Sequence, residues 1–303
     1  MNKNEICFIR AKHKDDYVFD GIKKSGYDIF IPYKDYNLIL RCLRELWFSV
    51  GLPKELWFNP VVKKLKNKKL IIVKDPLIIP EFLAWVKDNN PEARVLLSYD
   101  NRVQRSLNPD SIDRNKIELW SYDQDDCEKY NLKNKGTGYL DIYSIEDKNP
   151  KKIDVLYLGR DKGRLNYLLD LQKQLENMGL KTYFHICADR SYLKYKNKNY
   201  KKEIPYSEYL LMLSESKAIL NIVPDGQTSV TQREMEAIFH NRKCITNNIG
   251  LVKCDFYDSN RYFILGKDDM KDLPLFISKD VDALNPNRLI QYKLDQVVDR
   301  LYS

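Results

Sequence analysis

Two short stretches of this sequence carry the residue types needed to hold an anionic group. Leu158-Gly159-Arg160-Asp161-Lys162-Gly163-Arg164 sets two glycines, which let a ligand approach the backbone, beside three cations just ahead of a helix-like segment. Its spacing is neither GxGxxG nor the GxxxxGK[ST] of a P-loop, so it reads equally as an ordinary solvated turn between strand and helix. Pro224 to Glu236 (PDGQTSVTQREME) is a small polar loop that opens into a helix through hydroxyl residues, as an anion or ribose site does. One of Ser229 and Thr231 is expected to be the helix N-cap. Glu236 lies about one turn into that helix, among Met235, Ala237, Ile238 and Phe239. There it either accepts both hydroxyls of a ribose or is a surface glutamate. A third stretch, Asp123-Gln124-Asp125, has the DxD spacing with which two carboxylates hold a divalent ion and a diphosphate; the alternative is a turn and the start of a short helix, Asp125 to Tyr130.

The elements that would position these residues follow from hydrophobic pattern. Glu5 to Arg10, Tyr27 to Pro32, Lys69 to Asp75, Arg94 to Tyr99 and Ile117 to Tyr122 are short apolar or β-branched runs, and helix-compatible segments at 15–25 and up to Asn89 lie between them. Strands apolar throughout and separated by helices indicate a parallel sheet covered on both faces. Residues 131–152 turn polar, with Gly136 and Gly138, and are the expected linker. A second series follows: strand Asp154 to Leu158, helix Arg164 to Met178 stopped by Gly179, strand Lys181 to Cys187, helix Tyr206 to Ser216, strand Ala218 to Val223, helix Val230 to His240 and strand Lys243 to Thr246. The pattern predicts two successive Rossmann-like βαβ domains, over 1–140 and 150–303. In open sheets of this kind ligands bind beyond the carboxyl ends of the strands, where both loops fall.

With 303 residues, 43% hydrophobic and 31% charged, 11 Gly and 12 Pro, the composition excludes disordered, collagenous and low-complexity classes. No run approaches the roughly 18 apolar residues of a spanning helix. Residues 1–10 lack the apolar core of a signal peptide, so a cytoplasmic location is expected. Six cysteines without a CxxC read as reduced core residues. The net charge of +8 suits a polyanionic partner, yet the excess is largely lysine, without a recognition-helix motif or RNP-type aromatics. Nucleic acid is therefore not an expected partner. Leu43 to Val62, rich in Leu, Trp and Phe, runs directly into the lysines at 63–69 and reads either as an interfacial membrane segment or as a buried interdomain one.

Trp120 to Leu132, Val155 to Cys187 and above all Tyr206 to Asn248 resemble bacterial glycosyltransferases of the GT-B fold that act in capsule and lipopolysaccharide biosynthesis. In those proteins a strand leads to a Gln-Ser/Gly-Leu-Thr-Arg-x-x-Glu helix and then to a Lys-Ile-Thr-Thr-Asn strand. The similarity spans roughly residues 70–265. It implies two Rossmann-like domains facing each other across a cleft, an acceptor-side domain first and a nucleotide-sugar-binding domain second. Gln227, Ser229, Thr231, Arg233 and Glu236 match the donor-nucleotide loop and helix, and Gly159, Arg160, Lys162 and Arg164 the diphosphate loop. The chain departs from the family at Asn221, Val230 and Asn247, where Asp, Leu and Thr are usual.

The resemblance implies sugar transfer from a nucleotide-sugar donor to a surface-polysaccharide acceptor, for which Arg160, Lys162 and Arg233 are the candidate counter-charges to the departing diphosphate. No cofactor other than the donor and no catalytic metal is expected. The acceptor base is expected in the loop after the first strand, Arg10 to Asp16. His13 is suited to neutral pH and Asp15 is the other catalytic candidate there, whereas the alternative for Asp15 and Asp16 is to cap the next helix. His185 and His240 read as structural. A lipid-linked oligosaccharide acceptor would favour peripheral attachment at the inner face of the cell membrane through 43–69. A non-catalytic GT-B-like subunit that binds nucleotide or glycan within a polysaccharide assembly complex is the other reading.

Overall fold

The structure is a computed structural model that describes residues 2–12, 16–34, 37–75, 77–147, 150–189 and 197–303. By contact the chain divides into two units, Met1–Gly136 with Leu294–Ser303, and Thr137–Lys293.

In chain order the first unit contains β1 (Ile6–Ile9), α1 (Tyr17–Lys24), β2 (Asp28–Phe30), α2 (Leu38–Ser49), β3 (Leu70–Lys74), α3 (Pro80–Asn89), β4 (Arg94–Tyr99), β5 (Glu118–Ser121), α4 (Gln124–Tyr130) and β6 (Lys133–Asn134). They form one parallel sheet in the order β2-β1-β3-β4-β5-β6. Leu70, Ile71, Ile72 and Val73 are all fully buried, because both faces of a parallel sheet are covered, which is why the run does not alternate with polar residues. Between β4 and β5 the connection is made by 3-10 turns at Val103–Arg105 and Pro109–Ser111 rather than by an α-helix.

The second unit contains β7 (Ile153–Arg160), α5 (Leu165–Asn177), β8 (Thr182–Cys187), α6 (Tyr206–Ser214), β9 (Ser216–Asn221), α7 (Gln232–Phe239), β10 (Lys243–Thr246), β11 (Tyr262–Ile264), α8 (Leu273–Ser278) and α9 (Pro286–Leu289). Its parallel sheet runs β11-β10-β9-β7-β8. α5 buries Leu168, Leu171 and Leu175 on the stripe their spacing defines, each contributing about 1.5–3 kcal/mol, and ends where Gly179 takes φ +80°. The fold is thus α/β with two Rossmann-like parallel sheets.

The division differs from the sequence-based boundaries at two points: the second unit already begins at Thr137, within the stretch expected to be the end of the first domain and the linker, and the chain returns to the first unit at its end. The last helix, α10 (Leu294–Tyr302), belongs to the first unit and not to the second. It buries Val297, Val298 and Leu301, and its polar side chains are held by the same unit. Asp295 accepts from Lys3 and Tyr27 at 2.8 Å each, Tyr302 donates to Glu5 at 2.9 Å, and Arg94 donates to the Tyr302 carbonyl at 2.7 Å.

Among the described residues no helix is long and apolar enough to cross a membrane.

Candidate functional site

Numbered from its own first strand, the second sheet has the order 2-1-3-4-5, and its direction reverses between β7 and β9. Crevices for ligands open at the carboxyl ends of the two strands flanking such a reversal. The two loops selected from sequence follow those two strands.

Gly159 and Arg160 are the last residues of β7 rather than part of the loop. Arg160 points outward, half exposed, donating to the Asp189 carbonyl at 3.2 Å and pairing with Glu203 at 2.5 Å. Asp161 is buried and ties the turn together: it accepts from the Gly163 and Asp189 amides at 3.0 and 2.9 Å and from the Tyr200 hydroxyl at 3.2 Å. Lys162 and Gly163 both lie in the left-handed region, at φ +47° and +81°. Glycine suits the second, whereas the lysine lies there against its preference, inside a turn closed by the Gly163 and Arg164 amides donating to the Asp161 carboxylate and carbonyl. Arg164 turns inward and donates to the carbonyl of Ile222 at 2.8 Å, linking the loop after β7 to the end of β9.

The loop after β9 is fastened from β10. Asn247 extends the pairing by accepting from the Val223 amide (2.8 Å) and donating to its carbonyl (3.0 Å). Asn248 donates to the Ser229 carbonyl at 3.1 Å. Gly250 lets the loop pass: a β-carbon there would lie 2.0 Å from the Thr228 carbonyl oxygen. Of the two cap candidates it is Thr231 that caps α7, in a reciprocal box with Glu234, whose side chain accepts from the Thr231 amide at 2.7 Å. Glu234 is fully buried and also accepts from Asn221, Thr246 and Asn248 at 3.0, 3.2 and 3.1 Å. Burial pushes its carboxyl up to about 6, against the pull of these donors. Gln227 and Ser229 are half-buried on the same loop.

Arg233 joins the two halves of the site. One arm donates to Glu236 at 2.6 Å and the other to the Leu158 carbonyl at 3.2 Å, and the guanidinium stacks 4.1 Å over the Tyr209 ring. Glu236 corrects the sequence reading in one respect. It is not a surface glutamate but 2% exposed, accepting from Tyr206 at 3.1 Å and Tyr209 at 2.6 Å besides Arg233. The reason is its place on α7, which is enclosed on all sides over residues 234 to 238, all of them buried. His185 and His240 are structural, the first against the Lys202 carbonyl and the second against the Tyr139 hydroxyl, both at 2.7 Å. Burial lowers the pKa of His240.

Gly159, Arg160, Lys162, Arg164, Thr231 and Arg233 are therefore brought to one sheet edge, with Glu236 beneath it. Sequence reading passed over Asp161 and Glu234. Asp161 was legible as the first residue of an Asp-x-Gly turn, and Glu234 as the third residue of a Thr-x-x-Glu box.

His13 and Asp15 lie outside the described residues. Asp16 caps α1 by accepting from the Phe19 amide at 3.1 Å. Next to it the carboxyl edge of the first sheet holds Arg10, Lys74, Asp75, Asp100 and Lys135. Asp100 pairs with Lys74 (3.0 Å), Lys135 (2.7 Å) and Arg10 (4.0 Å). Burial alone would raise its carboxyl, but Lys135 and Lys74 outweigh that and hold it well below the usual range. Burial also brings Lys74 down to about 8. Asp75 accepts from the Asp100 amide at 2.8 Å and from Ser106. Asp123 of the DxD stretch caps α4, accepting from the Asp126 amide at 3.0 Å, while Asp125 is exposed. Among the described residues no group of three His, Cys, Asp or Glu could hold a metal ion.

A cavity of about 570 Å³ opens at the opposite, amino end of the first sheet, lined by Lys64, Lys66, Lys69 and Asn89 among others. Open-sheet ligands sit at the carboxyl ends, so topology rather than this cavity locates the site.

Compared with protein-family models and with curated proteins, the chain matches none of either.

Proposed function

We propose that the protein is a nucleotide-sugar-dependent glycosyltransferase of the GT-B kind, transferring a sugar to a surface-polysaccharide acceptor, with the donor held by the second unit. The observation that supports this most is the Arg233 fork. It ties the first turn of α7 to the end of β7 at the point where the sheet order reverses, beside the Gly159–Gly163 turn. In this reading the donor diphosphate rests on that turn and on the start of α7. Arg160, Lys162 and Arg233 neutralise charge on the departing nucleotide diphosphate, and Arg164 and Asp161 hold the turn in shape. Glu236 is a positioning residue for Arg233, and its Oε1, which accepts one hydroxyl from Tyr206, is where a ribose hydroxyl would bind in exchange. A base on the first unit takes the proton of the acceptor hydroxyl as its oxygen bonds to the sugar and the sugar–phosphate bond breaks, for which His13, with Asp15, is the sequence candidate. No divalent ion and no cofactor enters the scheme; the acceptor is an oligosaccharide, and a lipid-linked one fits the family resemblance.

A thermal-shift screen against UDP, GDP, CMP and dTDP tests it. One nucleotide at 100 times its dissociation constant should stabilise the fold by about 2.7 kcal/mol, and Arg233→Ala should remove the shift. Binding without donor hydrolysis or transfer would point instead to a non-catalytic subunit. A flat response to all four nucleotides would overturn the donor site itself.

A further inference from the structure

α2 is amphipathic in the reverse of the usual sense. Its one fully buried side chain is Arg44, which lies 4.2 Å over the Tyr33 ring and donates to Glu45 at 2.6 Å. Ile39, Leu43, Leu46 and Val50 follow at intervals of four, three and four, which keeps them on one stripe of the helix. That stripe faces outward: Leu38, Ile39, Leu46 and Val50 are between 62% and 75% exposed, and Leu43 is half exposed. Leu56 and Val61, in the two 3-10 turns that follow, are exposed as well. The aromatic residues of the same segment do the opposite. Phe58 is buried against Phe82 and Trp85, Phe48 packs on Tyr33, and Trp47 and Trp57 sit edge to face at 6.5 Å. Val62, in the second of those turns, is the one buried aliphatic of the stretch; the others on the stripe and in the turns are exposed, while the aromatics build the unit, and an exposed apolar face of this kind marks an interaction surface.

Charge indicates what covers it. Residues 38–69 contain eight Lys and Arg against two Glu, which accounts for six of the chain's net +8 charges. Lys63, Lys64 and Lys66 are exposed and, among the described residues, have no acidic partner. A second copy of the chain would set this positively charged stretch against another like it. An anionic bilayer satisfies both parts of the surface, the aliphatics entering the acyl boundary and the lysines meeting phosphate. We propose that the outward face of α2 and the turns after it form a docking surface for an anionic membrane. The surface is independent of the reaction proposed above, since vesicle binding requires neither donor nor acceptor.

Flotation with vesicles of phosphatidylglycerol and phosphatidylcholine at 3:7, against pure phosphatidylcholine, tests this at low salt. The protein should float with the anionic vesicles and not with the neutral ones. Leu43→Asp with Leu46→Asp should abolish flotation with the melting curve unchanged, as both side chains point away from the core. Lys63→Glu should raise the lipid concentration for half-binding at least about fivefold, the effect of one cation near such a surface. It stands as the second variant should the first not fold. The proposal fails if the protein ignores anionic vesicles, if it floats equally with neutral ones, or if both variants bind like the parent. It fails also if light scattering shows a dimer that the Leu43/Leu46 variant turns into a monomer, for then a second copy covers the stripe.

Discussion

Arg233 and Glu236 stand one turn apart on α7 and are joined at 2.6 Å, with the second arm of the guanidinium on the carbonyl of Leu158, at the end of the neighbouring strand β7. The pair gives the sheet edge a cation whose direction is fixed from inside the protein. Removing its buried half has two consequences. Glu236→Ala leaves Arg233 and two tyrosine hydroxyls without their acceptor and should lower stability by about 3 kcal/mol, read by chemical denaturation. Glu236→Gln keeps the shape and most of the stability, and should weaken nucleotide binding about tenfold by calorimetry because Arg233 loses its anchor. Unchanged affinity in a folded Glu236→Gln protein would separate this pair from the donor.

Gly250 and Gly226 make opposite demands on a side chain. At Gly250 a β-carbon would meet the Thr228 carbonyl at 2.0 Å, and that neighbour is backbone that cannot rotate away. Gly250→Ala should therefore displace the loop after β9 and cost at least about 2 kcal/mol. Gly226, at φ +73° with open space around it, should lose only about 1 kcal/mol as alanine, from backbone conformation alone. Melting curves of the two variants, in that order of severity, are the expected result, and the reverse order would contradict the packing of Thr228 on Gly250.

Lys74 gives a pH dependence whose sign is fixed by its burial. Its pKa falls from 10.5 to about 8, so between those values the unfolded chain holds a proton that the folded chain has released. Stability from this group thus rises with pH from about 8 to about 10.5, and is lowest below pH 8, where the folded protein carries a buried charge. Lys74→Met should be more stable than the parent at pH 7 by about 1–2 kcal/mol, Asp100 still having Lys135 and Arg10, and the gain should shrink above pH 8. Denaturant titrations at pH 7 and 9.5 decide it; a variant less stable at pH 7 would show that Lys74 is needed as a counter-charge.

Asp123 and Asp125 are not a matched pair. The first is spent on capping α4 and lies 3.8 Å from Arg102, while the second is exposed. Asp123→Ala should cost about 1 kcal/mol as a lost cap, and Asp125→Ala almost nothing. Sugar transfer should persist in EDTA and in the Asp125→Ala protein; if it stops and Mn²⁺ or Mg²⁺ restores it, the metal-independent scheme is wrong.

The strands and their parallel pairing were legible in the sequence because a strand buried on both faces reads as a continuous apolar run, as Leu70–Val73 and Arg94–Tyr99 do. α2 was not, since its pattern is inverted and its aliphatics resemble a buried stripe until Arg44 is seen to hold that place. The cations of the candidate site stood in loops with helix-start residues, which sequence displays directly. The burial of Glu236 did not, because it depends on Tyr206 and Tyr209 of α6, nearly thirty residues away, closing over α7. The terminal helix was missed as a member of the first unit for a related reason: its partners, Lys3, Glu5 and Tyr27, are almost the whole chain away.

That return of the chain has a consequence for how the protein is made. The second unit is continuous, from Thr137 to Lys293, whereas the first is completed by residues that leave the ribosome only after all of it. During synthesis Val297, Val298 and Leu301 arrive after every strand of both sheets, and until then the surface of the first unit that receives them stands open to water. The second unit is able to fold on the ribosome in a single pass. The first waits for its closing piece, and in that interval it is the part of the nascent chain most in need of a chaperone.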